Sequence, residues 1–407
     1  MNVSSMRRAD RWIGGCACIF LTVVRRLLDW LPERPPAEPR RILFVKLAEQ
    51  GSTVLAYRAL REAAERYGRD NIYFLVLEEN RFILDVLEVI PPENVVALRS
   101  GSLVGLCWEG LKGIHRLRKL RLDAAIDLEF FARSSVAAAY LSGARKRVGF
   151  HSHHGESWYR GGLLTHRLVL NPHIHTGDLL LFMVRSLELP PEELPASGVP
   201  VPDAQDGPEP GFQPSPDEVD AVRTIIARET GQDEPVRLVL LNANCSDLMP
   251  LRRWPEERYV ELARRLIDQF PDLWVGFTGA PSEQDGAGKL VAEIARDRCV
   301  CLAGRTTLRQ LLILYSLSEV LVTNDSGPAH FATLTPIHVV TLFGPETPAL
   351  FGARTPRNHV LWAQLPCSPC VNAYNHRQSF CRTNLCMTGI SVDDVFEKVC
   401  ELYTKRR

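Results

Sequence analysis

The sequence predicts an α/β protein of two Rossmann-like lobes, each a parallel sheet covered by helices, facing one another across a cleft. Three observations carry this reading. Short β-rich runs alternate with longer stretches whose apolar residues recur at helical spacing. The alternation stops at residues 190–216, rich in Pro, Glu, Asp and Gly, and then starts again. Four later strands run out into turns of small residues, and the carboxyl ends of parallel strands share one edge.

The first lobe is placed at 40–189. Residues 41–47, Arg-Ile-Leu-Phe-Val-Lys-Leu, read as a strand and 54–67 as a helix. Strands at 72–77, 95–98 and 124–128 follow, with helices over 81–88, 103–119 and 134–141 between them and one more strand at 147–150. After the 190–216 linker the second lobe, 217–391, repeats the scheme, with a strand at 236–241, a helix over 256–269, a strand at 273–278, a helix over 283–296, and strands at 320–323 and 339–343. A helix over 392–402, in the closing segment 392–407, ends the chain. In two-lobed folds such a helix can cross back to the first lobe.

Residues 1–39 stand apart. Met6-Arg7-Arg8 precedes an apolar stretch, 12–24, followed by Arg25-Arg26-Leu27-Leu28-Asp29-Trp30-Leu31. The stretch is short of the roughly 20 apolar residues that span a bilayer, and no small-residue cleavage site follows it. An interfacial helix fits, with Arg7, Arg8, Arg11, Arg25 and Arg26 near lipid headgroups and Trp12, Phe20 and Trp30 in the boundary. The alternative is a helix packed on the protein's own core. Pro32 to Pro39 reads as a linker.

Composition excludes several classes. With 45% apolar and 24% charged residues the chain is ordinary globular protein. Lys+Arg and Asp+Glu number 48 each, so no net charge favours nucleic acid, and any phosphate recognition must be local. A dinucleotide oxidoreductase needs Gly-x-Gly-x-x-Gly after its first strand and a phosphate-loop ATPase needs a loop ending Gly-Lys-Ser/Thr. Neither is present; Gly286-Ala287-Gly288-Lys289 lies in a helical context.

The most informative stretch is Asn324-Asp325-Ser326-Gly327-Pro328-Ala329-His330, between the β-branched run 319–323 and a helix. A strand turning into a helix there leaves backbone N–H groups unpaired at the ligand-binding edge, which favours an anion. An ordinary capped helix start, with Asp325 or Ser326 as cap, is the competing explanation. Three further turns converge on the same edge: Asn242-Ala243-Asn244-Cys245-Ser246-Asp247 ahead of Arg252-Arg253, Thr278-Gly279-Ala280-Pro281-Ser282-Glu283, and Phe343-Gly344-Pro345-Glu346-Thr347. Small residues beside arginines suit a nucleotide diphosphate better than an apolar ligand, and Asn244, Ser246 and Arg252 join Asp325, Ser326 and Gly327 as donor-site candidates.

The run 323–330, followed by Val339 to Leu342 and Phe343-Gly344-Pro345-Glu346-Thr347-Pro348, resembles the signature of glycosyltransferase family nine, the heptosyltransferase-like enzymes of bacterial lipopolysaccharide and surface polysaccharide synthesis. Residues 41–47 with Gly51 and Val54-Leu55, then Arg147-Val148-Gly149-Phe150 and His175-x-x-Asp178, resemble its first lobe. The resemblance spans roughly 40–400 and implies a GT-B fold, the acceptor held by the first lobe, the nucleotide sugar by the second, and no cofactor or metal in catalysis. It implies that Asp325, Ser326 and Gly327 hold the donor diphosphate, that His330 supports their turn, that Arg252 meets the phosphates, and that Glu283 meets the ribose.

The family's first glycine turn commonly ends in Gly-Asp, the aspartate being its proposed general base. Here the turn reads Ala48-Glu49-Gln50-Gly51-Ser52-Thr53. An unactivated Ser52 hydroxyl is far too weak a base near neutral pH, so Glu49, Asp127 or Glu129 must serve, or transfer relies on leaving-group stabilisation. The expected function is transfer of a sugar, plausibly a heptose, to a lipid-linked or polysaccharide acceptor. The setting implied is the membrane surface on the cytoplasmic side. The alternative is a nucleotide-sugar binding protein that has lost catalysis. A nucleotide-sugar epimerase is disfavoured by the missing glycine-rich turn and Tyr-x-x-x-Lys pair.

Of eleven cysteines, Cys367, Cys370, Cys381 and Cys386 form one cluster, in the loop 366–387. Four thiols at these spacings could hold a structural zinc, with free thiols the alternative.

Overall fold

A computed structural model describes residues 8–28, 38–99, 101–155, 158–194, 199–201, 210–245 and 249–405. The chain divides into two units, Met1–Pro208 with Ala373–His376 and Glu209–Asn372 with Arg377–Arg407. Arg7, Trp30, Ser246 and most of the proline-rich stretches expected as linkers lie outside the described residues.

Unit 1 is built on six strands: β1 (Ile42–Val45), β2 (Ile72–Leu77), β3 (Val95–Leu98), β4 (Ala124–Asp127), β5 (Lys146–Phe150) and β6 (His166–Leu168). Their order is β3-β2-β1-β4-β5-β6 and every pairing is parallel. Because both faces carry helices, β1 is buried along its length, and Leu43 and Val45 pack with Leu75, Leu77, Val96 and Leu98 on one side. Strand order reverses between β1 and β4. That reversal opens a crevice at their carboxyl ends, where the loop beginning at Lys46 and the residues after Asp127 emerge.

Unit 2 repeats the plan with β7 (Arg237–Asn242), β8 (Leu273–Phe277), β9 (Cys299–Cys301), β10 (Val320–Asn324), β11 (His338–Phe343) and β12 (Asn358–Trp362), in the order β12-β11-β10-β7-β8-β9. Its reversal falls between β7 and β10, so the turns after Asn242 and Asn324 share the crevice end.

Several elements depart from expectation. The helix expected over 54–67 is two, Gln50–Leu55 and Tyr57–Tyr67, broken at Ala56. Ser52 starts the first by donating its hydroxyl to the Glu49 carbonyl at 2.8 Å. Helices Thr176–Arg185, Pro216–Thr230 and Leu308–Ser316 and strands β6, β9 and β12 were not anticipated. The three-residue strands carry too few residues to show a period, but Pro216–Thr230 had a readable start: Ser215 and Glu218 form a reciprocal capping box around Pro216. The closing helix, Val392–Lys405, does not cross back. Its Val392, Val395, Val399, Leu402 and Tyr403 share one core with Val320, Val322 and Val340 of unit 2.

The N-terminal segment is part of unit 1. A π-helical turn, Asp10–Gly14, leads into the helix Gly15–Leu28, whose Cys18 and Leu21 pack on Val136, Ala137, Leu163 and Leu164. Asp10 caps another helix, Arg133–Leu141, accepting from the Arg133 N–H at 3.1 Å and the Ser134 N–H at 2.7 Å. Thr22 accepts from the Gly162 N–H at 2.9 Å. At Gly161, with φ of 70°, a Cβ would stand 2.8 Å from the Cys18 carbonyl oxygen, so glycine alone admits the helix. The expected packing on the protein's own core holds for its inner side, while Trp12 of the preceding turn and Ile19, Phe20, Val23 and Leu27 of the helix are exposed. Among the described residues no helix is long and apolar enough to cross a membrane.

Candidate functional site

At the β7/β10 reversal the side chain of Asn324, fully buried, acts as a clamp. Its Oδ1 accepts from the Trp254 N–H at 3.0 Å and the Tyr259 hydroxyl at 3.3 Å, and its Nδ2 donates to the carbonyls of Ala243 and Asn244 at 3.3 and 3.2 Å. Four hydrogen bonds leave it no capacity for a ligand; it ties the turn after β7 to the turn after β10.

Beside the clamp lies a buried charged cluster. Arg252, brought in by the 3₁₀ turn Pro250–Arg252, reaches Glu346 at 2.7 Å and Asp325 at 3.6 Å and donates to the Asp325 carbonyl at 3.0 Å. Arg377 approaches the other Glu346 oxygen at 3.7 Å. Burial pushes the Asp325 and Glu346 carboxyls above the usual range, opposed by Arg252 and Arg377. Two guanidiniums and two proton-accepting groups at a strand-end crevice can receive an anion and adjust their protonation to it.

Ser326 occupies the cap position of helix Gly327–Ala332 but makes no side-chain cap; its hydroxyl donates to the Asn324 carbonyl at 3.1 Å. That helix has only six residues, so its dipole is slight and positive charge here comes from the arginines. Gly327 opens the helix and His330 is buried within it. Asn244 and Glu283 meet at Gly279, where a Cβ would stand 3.1 Å from Asn244 Nδ2 and 2.9 Å from Glu283 Oε2. Glu283 also accepts from the Ala280 N–H at 2.7 Å. The structure thus gathers Arg252 and Asp325 in one cluster and Asn244 with Glu283 at the neighbouring turn.

Glu346 and Arg377 were given no role from sequence. Glu346 stood in plain view in the Gly-Pro-Glu turn, but nothing local marks it as buried. Arg377 carried no signal; its φ of 56° in a non-glycine residue is visible only in the fold.

Unit 1 collects the base candidates around the loop after β1. Glu129 is fully engaged: its Oε1 accepts from the N–H groups of Leu47 and Ala48 at 2.9 and 3.1 Å, and its Oε2 pairs with buried Lys46 at 3.2 Å. Asp127 is inaccessible. It forms a buried ion pair with Arg160, accepts from Ser135 at 2.9 Å and from the Glu129 N–H at 3.1 Å, and burial, partly offset by Arg160, raises its pKa to about 6. Both act as struts. Glu49, half-buried, sits at φ 67° and ψ 75°, a left-handed conformation costly for a residue with a Cβ. Ser52 is spent on the Glu49 carbonyl.

The four clustered thiols are not gathered as a metal set: among the described residues no group of three or more His, Cys, Asp or Glu side chains is placed to hold an ion. Cys381 accepts from the Asn384 N–H at 3.3 Å and is shifted down by that bond and the one from Thr383, while burial and the neighbouring thiols push Cys386 up to about 11.

Comparison with known proteins adds lineage to this geometry. A family model for glycosyltransferase family 9 (heptosyltransferase) matches residues 111–380. Lipopolysaccharide heptosyltransferase 2 of Escherichia coli K12 is 35% identical over 102 residues, 24% of this chain. The matched stretch spans only 29% of that relative's length. Among solved structures, E. coli ADP-heptose lps heptosyltransferase II superposes with a TM-score of 0.65 at 21% identity, covering 90% of this chain and 99% of that one. A family 9 glycosyl transferase from Veillonella parvula gives 0.71 at 16% identity, covering 92% and 100%. At such identities the structural likeness shows the fold, two parallel six-stranded sheets with helices in the GT-B manner.

Proposed function

This chain belongs to glycosyltransferase family 9, the heptosyltransferase family, and from that premise we propose that it transfers a heptose from ADP-heptose to a lipid-linked saccharide of the lipopolysaccharide core. The observation that carries the reading is the Arg252 cluster at the β7/β10 reversal, since a buried guanidinium held by two carboxyls is poised to exchange one of them for phosphate. Asp325, Ser326 and Gly327 line that turn, Asn244 sits beside Glu283, and Glu283 is the candidate for the ribose hydroxyls. Ser246 belongs to the same proposed donor set.

In the reaction an acceptor hydroxyl attacks the anomeric carbon as the bond from that carbon to the diphosphate oxygen breaks. Arg252 and Arg377 meet the charge that gathers on the leaving diphosphate. Glu49 takes the hydroxyl proton: it is partly exposed in the loop after β1, whereas Asp127 is fully buried in its ion pair with Arg160. No step needs a cofactor. A structural zinc at Cys367, Cys370, Cys381 and Cys386 would require the thiols to close together, and stoichiometric zinc in the purified protein would show that they do.

The test is ADP release from ADP-heptose with a core-lipid acceptor, set against GDP- and UDP-sugars. Glu49→Gln should lower kcat about a hundredfold to ten-thousandfold, and Ser52→Ala only a few-fold. Full activity in Glu49→Gln would remove Glu49 from the mechanism. Ser52, standing where the family carries a carboxylate, favours the second reading, a donor-binding protein without turnover; binding of ADP-heptose with no product under any acceptor would establish it.

The setting we propose is the cytoplasmic membrane surface. Arg8, Arg11 and Arg26 flank the exposed apolar face of the N-terminal helix, which is the composition of a bilayer-lying helix.

A further inference from the structure

The helix Leu103–Lys119 connects β3 to β4, and its inner side is tightly applied to the sheet: a Cβ on Gly113 would stand 2.7 Å from the Leu98 side chain. Its outer side is not what a solvated helix carries. Val104, Trp108 and Leu111, spaced by four and three residues and hence on one face, are 82%, 60% and 65% exposed. Cys107 lies on the same face. Further along, Lys112, His115, Arg116 and Lys119 are exposed, so the stripe passes from apolar to basic within the one helix. The Lys112 ammonium stands 5.6 Å from the centre of the Trp108 ring, joining the two parts.

This stripe has a neighbour of the same kind. The N-terminal helix exposes Phe20 and Leu27 at 66% and 67%, and the π-helical turn before it exposes Trp12 at 70%. Both helices pack against Arg133–Leu141 within unit 1. The sole carboxylate among residues 8–28, Asp10, is turned inward to cap that shared partner, so the exposed charges of this segment are arginines.

We propose that the outer stripe of Leu103–Lys119 is a second lipid-contacting surface, so that unit 1 seats on an anionic phospholipid bilayer through two helices. Aromatic and aliphatic side chains flanked by Lys and Arg complement a headgroup layer whose charge is negative, whereas a protein interface would deplete its centre of lysine. The inference rests on the membrane-surface reading above and deepens it: one short helix gives weak, reversible attachment, and two apolar contacts with one basic field give a stable one.

Vesicle flotation of the full chain tests it, with phosphatidylethanolamine–phosphatidylglycerol vesicles against phosphatidylcholine alone. The wild type should float with the anionic vesicles and release at high salt. Trp108→Glu with Leu111→Glu should lower the bound fraction about tenfold, and Lys112→Ser with Lys119→Ser should weaken anionic binding alone. Trp108→Phe, which spares the fold, should remove part of the fluorescence quenching by brominated lipid. If the Trp108/Leu111 variant binds as the wild type does while Phe20→Glu with Leu27→Glu does not, this inference falls and the membrane reading stands. If the wild type binds no vesicle, the membrane reading itself falls. A change in sedimentation mass of the Trp108/Leu111 variant without lipid, with vesicle binding unaltered, would make the stripe a protein interface and overturn the proposal.

Discussion

Arg252 touches two carboxyls, Asp325 and Glu346, and shares the second with Arg377, which is what makes its site responsive. Burial raises both Asp325 and Glu346 against the opposing pull of Arg252 and Arg377, so either carboxyl accepts a proton more readily than an exposed one. A diphosphate beside them raises them further and draws in a proton. A group that gains a proton on binding loses affinity as pH rises, so ADP-heptose binding should weaken as pH rises through the range in which these raised carboxyls titrate, by at most about tenfold per pH unit for one proton. Calorimetry in buffers of differing ionisation enthalpy would register the uptake. Glu346→Gln should flatten the profile, and an unchanged profile in that variant would remove Glu346 from the linkage. The same scale explains what single residues disclosed. Arg252 and Asp325 were readable because their motif sits at a strand end, whereas the engagement of Glu129 and Asp127 depends on Leu47, Lys46 and Arg160, distant in sequence.

Among the elements, long periodic helices were legible: 103–119 and 256–269 appear with the boundaries their apolar spacing indicates. Strands β6 and β9, three residues each, were not, because a period of two needs more residues than that to show. The N-terminal helix illustrates a subtler limit. Its amphipathicity was plain, but only the fold reveals that its inner face is fastened by Asp10 to the start of Arg133–Leu141. Asp10→Ala should therefore cost about 1 kcal/mol, the worth of a lost helix cap, read as a lower urea midpoint with an unchanged slope. Loss of vesicle binding in Asp10→Ala without loss of stability would contradict this capping role.

For the whole molecule, the proposal assigns the donor to unit 2. Saturation with ADP-heptose at about a hundred times its dissociation constant should add about 2.7 kcal/mol of stability, and hydrogen exchange should slow at 242–245, 278–283 and 324–330. Protection confined to 46–52 of unit 1 would place the nucleotide elsewhere. Two α/β units and their strand-end turns could be read directly from the chain, because hydrophobic period and turn chemistry are local properties. The Arg252–Glu346 and Asp127–Arg160 pairings, the seating of the closing helix in unit 2, and the two-sided character of the first helix could not. Each depends on which distant residues share a buried volume, and that is settled by packing, where a charge must find its partner wherever the fold brings one.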